Sequence, residues 1–243
     1  MEVKMAGIVF FSPHPDDVEF VLGGTVLLHC NRYPTEIVVM TDGGAAANGT
    51  KEIRRLESDM VASVNPNIHY THLGFADMSI SSYNEDQLFS IISVIRKFKP
   101  SIIVLPSSND LHPDHIQTSL LVKKSVEMAA SSFCVDRYGS PYNCKYLLSY
   151  RFPGKTTPTD DCWAKIYLDV SGVYEEKKKL IKTYKSQILM TEGATVTDVN
   201  RDLLSIIEST DRINGNKIGV CYAEELCLVK GSLGSNNLFK LFY

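Results

Sequence analysis

The stretch FFSPHPDDVEF, Phe10–Phe20, decides the fold. Its first residues close an apolar run that begins at Gly7 and reads as a buried strand ending at Phe11. His14, Asp16, Asp17 and Glu19 follow at once. Pro15 suits the first turn of a helix, where its missing N–H costs nothing, and the aspartates behind it are favoured there by the helix dipole. A strand that passes directly into a helix is the first half of a βα unit.

The arrangement occurs again downstream. SIIVL, Ser101–Leu105, reads as a second buried strand, and NDLHPDH, Asn109–His115, which follows PSS, places Pro113 in the role of Pro15. A good helix start accounts for proline and aspartate in both motifs. It does not account for a histidine before each proline, nor for His115 directly after Asp114.

Around these anchors, short apolar runs predict strands at Glu36–Met40, Ile68–Leu73, Lys145–Tyr150 and Lys165–Val170. Helical periodicity covers Pro15–Cys30, Thr50–Val64, Glu85–Phe98 and Pro113–Ala130, and returns in SGVYEEKKKLIKTYKSQ after Val170. Alternation of this kind predicts an α/β fold: a single Rossmann-like domain over residues 1–243, its mostly parallel sheet flanked by helices on both faces. Loops are predicted at Ser131–Asn143 and Phe152–Asp161. In such sheets ligands bind beyond the carboxyl ends of the strands. Both His-Pro-Asp motifs lie there, as do TDGG (Thr41–Gly44) and LGFADMS (Leu73–Ser79).

Composition narrows the classes. The chain has 243 residues, of which 44% are hydrophobic and 22% charged, enough for a sizeable core. A net charge of −3 gives no basic surface for nucleic acid. No apolar run approaches the ~20 residues of a membrane span, and MEVKMAGIVFFSPHPDD does not read as a secretory signal. The six cysteines form no CxxC pair, which predicts reduced, mostly buried thiols in a cytoplasmic protein.

The two clusters together predict a metal site. His14 and Asp17 are three apart across a turn, so both can face one point above the sheet, and His115 can approach it from the other unit. Two imidazoles and a carboxylate, with a fourth position open, suit one zinc ion per chain or another first-row divalent ion. Such an ion lowers the pKa of bound water towards ~7.

HPDDVE (His14–Glu19), GGT (Gly23–Thr25) and DLHPDH (Asp110–His115) closely resemble the PIG-L/LmbE-like family of zinc-dependent N-deacetylases. The similarity runs from about Val9 to Leu226 through TDGGAAANG, IRRLESD, LGFADMS, the K…SQ helix and CYAEEL. It implies a metal-dependent hydrolase that removes an N-acyl group, usually acetyl, from a small-molecule amino sugar or glycoside. His14, Asp17 and His115 would bind zinc, with Asp16 as general base on the attacking water. His112 would stabilise the oxyanion and protonate the departing amine, and Asp114 would pair with a histidine. Arg54 and Asp77 would contact the sugar. Asp110 stands where some members carry tyrosine and is read as an orienting group behind the site. Glu19 is read as supporting the turn or a neighbouring ligand.

Two other readings stay open: a zinc amidase of the same fold acting on a non-sugar amide or thiol conjugate, and a non-catalytic nucleotide-binding α/β module. Against the latter, no GxGxxG follows the first strand. A nucleic-acid partner is not expected, and the chain is compatible with a homo-oligomer. Among smaller signals, Lys177–Lys179 reads as a solvated helix face, and His29 sits near a helix end where a cation is favoured. Gly23 and Gly24 suggest close packing of a helix on the sheet. Glu224 is a candidate brace for the site and Trp163 a candidate for stacking on a sugar.

Overall fold

The computed structural model describes residues 7–132, 135–154, 162–188, 195–196 and 202–231. The strands are β1 (Ile8–Ser12), β2 (Thr35–Thr41), β3 (Ile68–Phe75), β4 (Ile102–Pro106), β5 (Tyr146–Tyr150), β6 (Ala164–Asp169) and β7 (Ala223–Lys230). They form one seven-stranded sheet in the order β3-β2-β1-β4-β5-β7-β6. The first five strands are parallel, and β7 runs antiparallel between β5 and β6.

Every residue of β1, β2, β4 and β5 is buried, as expected of strands covered on both faces. Alternation along β1 divides the core in two. Ile8 and Phe10 pack with residues of α1 (Asp17–Cys30), α2 (Lys51–Ala62), α6 (Tyr174–Thr183) and α7 (Leu203–Ile218). Val9 and Phe11 pack on the other face with α3 (Glu85–Phe98) and α4 (Pro113–Ala129). A four-residue α5 (Val135–Tyr138) lies inside the predicted loop 131–143. Residues 155–161 of the other predicted loop fall outside the described residues.

Strand order reverses between β1 and β4, which pair directly although α1 leaves towards β2 and α4 towards β5. The carboxyl ends of these two strands form the switch point of the sheet, where an open crevice is topologically required. The two His-Pro-Asp motifs are therefore neighbours in space because β1 and β4 are neighbours in the sheet.

Several expectations need correction. Strand β7 and helix α7 were not predicted. The apolar face of α7 is interrupted by buried Asp211 and Asn214, so its period is hard to see. Lys177 is not solvated: it is fully buried, with its ammonium 2.6 Å from Asp211 and 2.7 Å from Glu224. His29 is buried with no hydrogen-bond partner for either ring nitrogen, and burial pulls its imidazole down to about 4, so it is neutral rather than cationic. Cys162 and Cys227 form a disulfide that ties the start of β6 to β7, whereas Cys30 and Cys144 are buried thiols and Cys221 an exposed one. No helix among the described residues is long and apolar enough to cross a membrane.

Candidate active site at the sheet switch point

The turn after β1 is fastened from both sides. Thr41, at the end of β2, donates its N–H and its hydroxyl to the Pro13 carbonyl at 3.0 and 2.9 Å. Ser12 Oγ donates to the His14 carbonyl and accepts from the Val18 N–H, at 2.7 and 3.3 Å. Inside this frame Asp16 adopts φ +135°, a conformation that L residues avoid. Strain of this kind costs on the order of 1–3 kcal/mol and clusters at functional sites. Asp16 occupies the cap position of α1 yet makes no side-chain cap hydrogen bond. Its carboxylate turns into the cavity instead.

The turn after β4 is an ordinary helix start. Pro113 opens α4, and His112 caps it by accepting the Asp114 N–H on its Nδ1 at 3.2 Å. Asp110 accepts the His112 N–H at 2.8 Å and fixes the approach.

Between the turns, Asp17 is the hub. Its Oδ2 lies 3.1 Å from His14 Nδ1 and 3.3 Å from His115 Nε2. The opposite nitrogen of each imidazole faces another carboxylate. His115 Nδ1 is 2.9 Å from Asp110, and His14 Nε2 is 3.2 Å from Asp77 and 3.3 Å from Asp114. Asp114 is in turn held by the N–H groups of Met78 and Ile80, at 2.8 and 3.3 Å, and Asp77 by that of Ala45 at 2.9 Å. The ring of His112 stands 4.7 Å from that of His14 and 4.9 Å from that of His115.

This geometry fits a divalent ion. Ligand bonds of ~2.0–2.1 Å in a tetrahedron require donor atoms ~3.3 Å apart, and the two Asp17–histidine separations match that edge. Carboxylates behind the histidines are the usual means of fixing ring orientation at metal centres. Charge agrees. Burial alone would lower both imidazoles, but Asp114, Asp17 and Asp77 hold His14 well above its usual range, and Asp17 with Asp110 raises His115 to about 9. Burial would likewise raise Asp17, but His115 and His14 hold it well below the usual carboxylate range. Positive charge is thus strongly favoured at this point. By mutual distance of their donor atoms, the groups of three close enough to hold an ion among the described residues are His14, His112 and His115, and His14, Asp77 and Asp114; Asp17 belongs to neither. In the first set, however, His112 Nδ1 is committed to capping α4.

Around the cluster is a cavity of about 320 Å³ lined by His14, Asp16, Asp17, Arg54, Asp77, His112 and His115, with Met78, Phe152 and Gln187 at its walls. Burial pushes the Asp16 carboxyl up to about 7, against the pull of Arg54. Arg54 is itself buried and lies 3.1 Å from Asp16, with a 2.6 Å hydrogen bond to the Pro15 carbonyl. Its guanidinium is on the carboxylate of the first turn, and Asp77 is on His14. Both residues read as sugar contacts are thus built into the cluster as well as lining the cavity.

The hydrogen bonds of Glu19 go to neither the turn nor a histidine. Its Oε1 accepts from the hydroxyls of Tyr70 and Tyr184, so it ties α1 to β3 and to the segment after α6. Trp163 is exposed and lies outside the cavity lining. From the sequence Gln187 was read only as part of the K…SQ segment, and Asn48 only as part of a loop at the pocket edge. They reach the cavity through Glu57, which binds the Ser186 N–H and hydroxyl at 2.9 and 2.7 Å, and through the Gln187 hydrogen bond to the Asn48 carbonyl at 2.9 Å. No local pattern in the sequence announces that chain of contacts.

Histidines and carboxylates gathered at the switch point of a parallel sheet are the arrangement that a metal-dependent α/β enzyme would use. Residues 9–126, just under half of the chain, match the family model PIG-L: GlcNAc-PI de-N-acetylase. A diacetylchitobiose deacetylase of Thermococcus kodakarensis is 26% identical over 195 residues, 74% of this chain and 69% of that protein. Among solved structures, a conserved protein of Thermus thermophilus superposes with a TM-score of 0.79 at 23% identity, covering 96% of this chain and 98% of that one. A 4-carboxy-2-hydroxymuconate hydratase of Pseudomonas putida superposes with a TM-score of 0.74 at 17% identity, covering 96% and 99%. At these identities the two structures establish the fold. The hydratase is a reminder that the fold alone does not dictate the chemistry.

Proposed function

We propose that this protein is a metal-dependent N-deacetylase that hydrolyses the N-acetyl group of an amino sugar or its glycoside. The observation that carries the reading is Asp17, shared between His14 and His115, each of which has a carboxylate on its far nitrogen, with Asp16 beside them in the same cavity. The family match and the deacetylase relative direct it to N-acetylated sugars.

In this reading His14, Asp17 and His115 hold one zinc ion. When bound, the ion supplies a Lewis acid for the amide carbonyl and lowers the pKa of water. Asp16 accepts the proton of the attacking water, for which a carboxyl raised to about 7 is well matched at neutral pH. Arg54 keeps that carboxylate aimed into the cavity. Water oxygen adds to the carbonyl carbon, the C–N bond breaks, and the proton held by Asp16 or His112 passes to the amine, giving acetate and a free amino sugar. His112 has its Nδ1 committed to α4, which leaves Nε2 as the donor to the developing oxyanion. The cavity is at the lower end of the usual range for small-molecule sites, which suits one sugar ring with its acyl group.

The test is release of acetate from N-acetylglucosamine glycosides by zinc-loaded protein. Wild type is expected to be active, with Asp16→Asn and His115→Ala inactive. Zinc binding with no acetate from any sugar, but turnover of a non-sugar amide, would transfer the chemistry to an amidase.

A further inference from the structure

Helix α1 is two helices. Leu22 leaves helical geometry, at φ −123° and ψ 20°, so a short segment Asp17–Val21 is followed by a break and a second helix to Cys30. A helix this short does not hold itself in water. Its position must come from what binds its ends, and its front end carries Asp16 and Asp17.

The break is served on both sides by one buried ion pair. Lys177, from α6, donates to the Val21 carbonyl at 3.2 Å, where the first segment ends. Glu224, from β7, accepts the N–H groups of Gly24 and Thr25 at 2.8 and 2.7 Å and the Thr25 hydroxyl at 2.6 Å, where the second helix begins. Ammonium and carboxylate meet at 2.7 Å, and Asp211 places a second carboxylate on the same ammonium at 2.6 Å. All three groups are buried. The signs agree with the helix dipole, cation at a carboxyl end and anion at an amino end. Gly23 and Gly24 make the approach possible. A Cβ on Gly24 would lie 2.7 Å from Val170 and 3.0 Å from the Glu224 carboxylate, and one on Gly23 would lie 3.1 Å from Lys177.

We propose that Lys177 and Glu224 are positioning residues for the catalytic turn: by capping both sides of the break they fix the segment Asp17–Val21, and with it Asp16 and Asp17, against the histidines from β4. The inference rests on the metal-hydrolase reading above and adds two residues that touch neither ligand nor cavity. A first turn left to drift would lose ligand geometry, which needs holding to about 0.5 Å.

The experiment compares Lys177→Met, Glu224→Gln and the milder Thr25→Val with Arg96→Met. Arg96 is a comparably buried cation that donates to the carbonyls of Met128, Ala129 and Ser131 at the far end of α4 and to that of Gly139 after α5. Zinc alone is titrated against a competing chelator, and kcat and KM are measured separately, at a temperature where each variant is folded. Lys177→Met and Glu224→Gln are expected to weaken zinc binding about tenfold and to lower kcat with little change in KM. Thr25→Val should move both in the same direction by about threefold. Arg96→Met should lower the melting temperature and leave zinc affinity and kcat at wild-type values. Wild-type zinc affinity and kcat in folded Glu224→Gln and Thr25→Val would overturn the proposal, as would an equal loss in Arg96→Met. A wild-type chain that takes up no zinc would instead overturn the metal-hydrolase reading itself, and this inference with it.

Discussion

The turn after β1 and the turn after β4 share His-Pro-Asp, yet only the second is a well-formed helix start. After β4, His112 caps α4 with its ring and Asp114 is locked by two backbone N–H groups. After β1, the cap residue Asp16 is strained and uncapping, and α1 breaks at Leu22. The first turn gives up local stability so that two adjacent carboxylates, Asp16 and Asp17, can point in different directions. The second keeps its stability and lends one ring nitrogen of His112 to the backbone. Far ends differ as well: α4 ends on the cation Arg96, α1 on buried, neutral His29.

Breaking the strained turn has the largest expected effect. Asp16→Gly should lower kcat by about 10²–10⁴. Both Asp16→Gly and Asp16→Ala leave buried Arg54 without its carboxylate, so the strain is read from their difference: the glycine variant should be about 1 kcal/mol more stable, because glycine accepts φ +135° without strain. Urea unfolding of the two beside a rate measurement checks this; a glycine variant no more stable than the alanine one would remove strain from the account.

Next comes the brace behind that turn. Lys177→Met leaves Asp211 and Glu224 buried without their cation and should cost about 3–5 kcal/mol in unfolding free energy. A loss under about 1 kcal/mol, the scale of an exposed pair, would mean that the pair is dispensable to the broken helix.

The end of α1 predicts a response to acid. His29 stays neutral in the fold down to about 4, while its ordinary value is 6.5. Below pH 6.5 the unfolded chain takes up a proton that the native chain refuses. Its contribution is therefore complete above pH 6.5 and is lost as the pH falls through 4, by about 3 kcal/mol. His29→Leu should flatten this part of the stability profile between pH 6.5 and 4; an unchanged profile would show that His29 is not its source.

The smallest effect separates capping from chemistry in the second turn. His112→Ala should lose about 1 kcal/mol of stability as well as activity, and His112→Asn should restore the cap but not the rate. Recovery of both by asparagine would reduce His112 to a structural residue.

What could be read in the sequence was local. Strands β1 to β6, the first four long helices and both His-Pro-Asp turns carry their signal within a short window, and right-handed βαβ logic then brings His14 and His115 together. What could not be read was long-range. Lys177 looks solvated in KKK because its partners lie at Val21, Asp211 and Glu224. Glu19 looks like part of the turn because Tyr70 and Tyr184 are remote in the chain. Strand β7 is hidden because its antiparallel place between β5 and β6 follows no βαβ rule. Arg54 was visible as a site residue, but its place on Asp16 follows from packing between α2 and the first turn.

The most direct test of the central claim is elemental analysis of purified protein after zinc reconstitution, wild type beside His115→Ala, with acetate release from an N-acetylglucosamine glycoside measured on the same samples. The account predicts close to one zinc per wild-type chain, and loss of both metal and acetate release in the variant. A wild-type chain that holds no divalent metal, or an apo protein that releases acetate at the full rate, would contradict it.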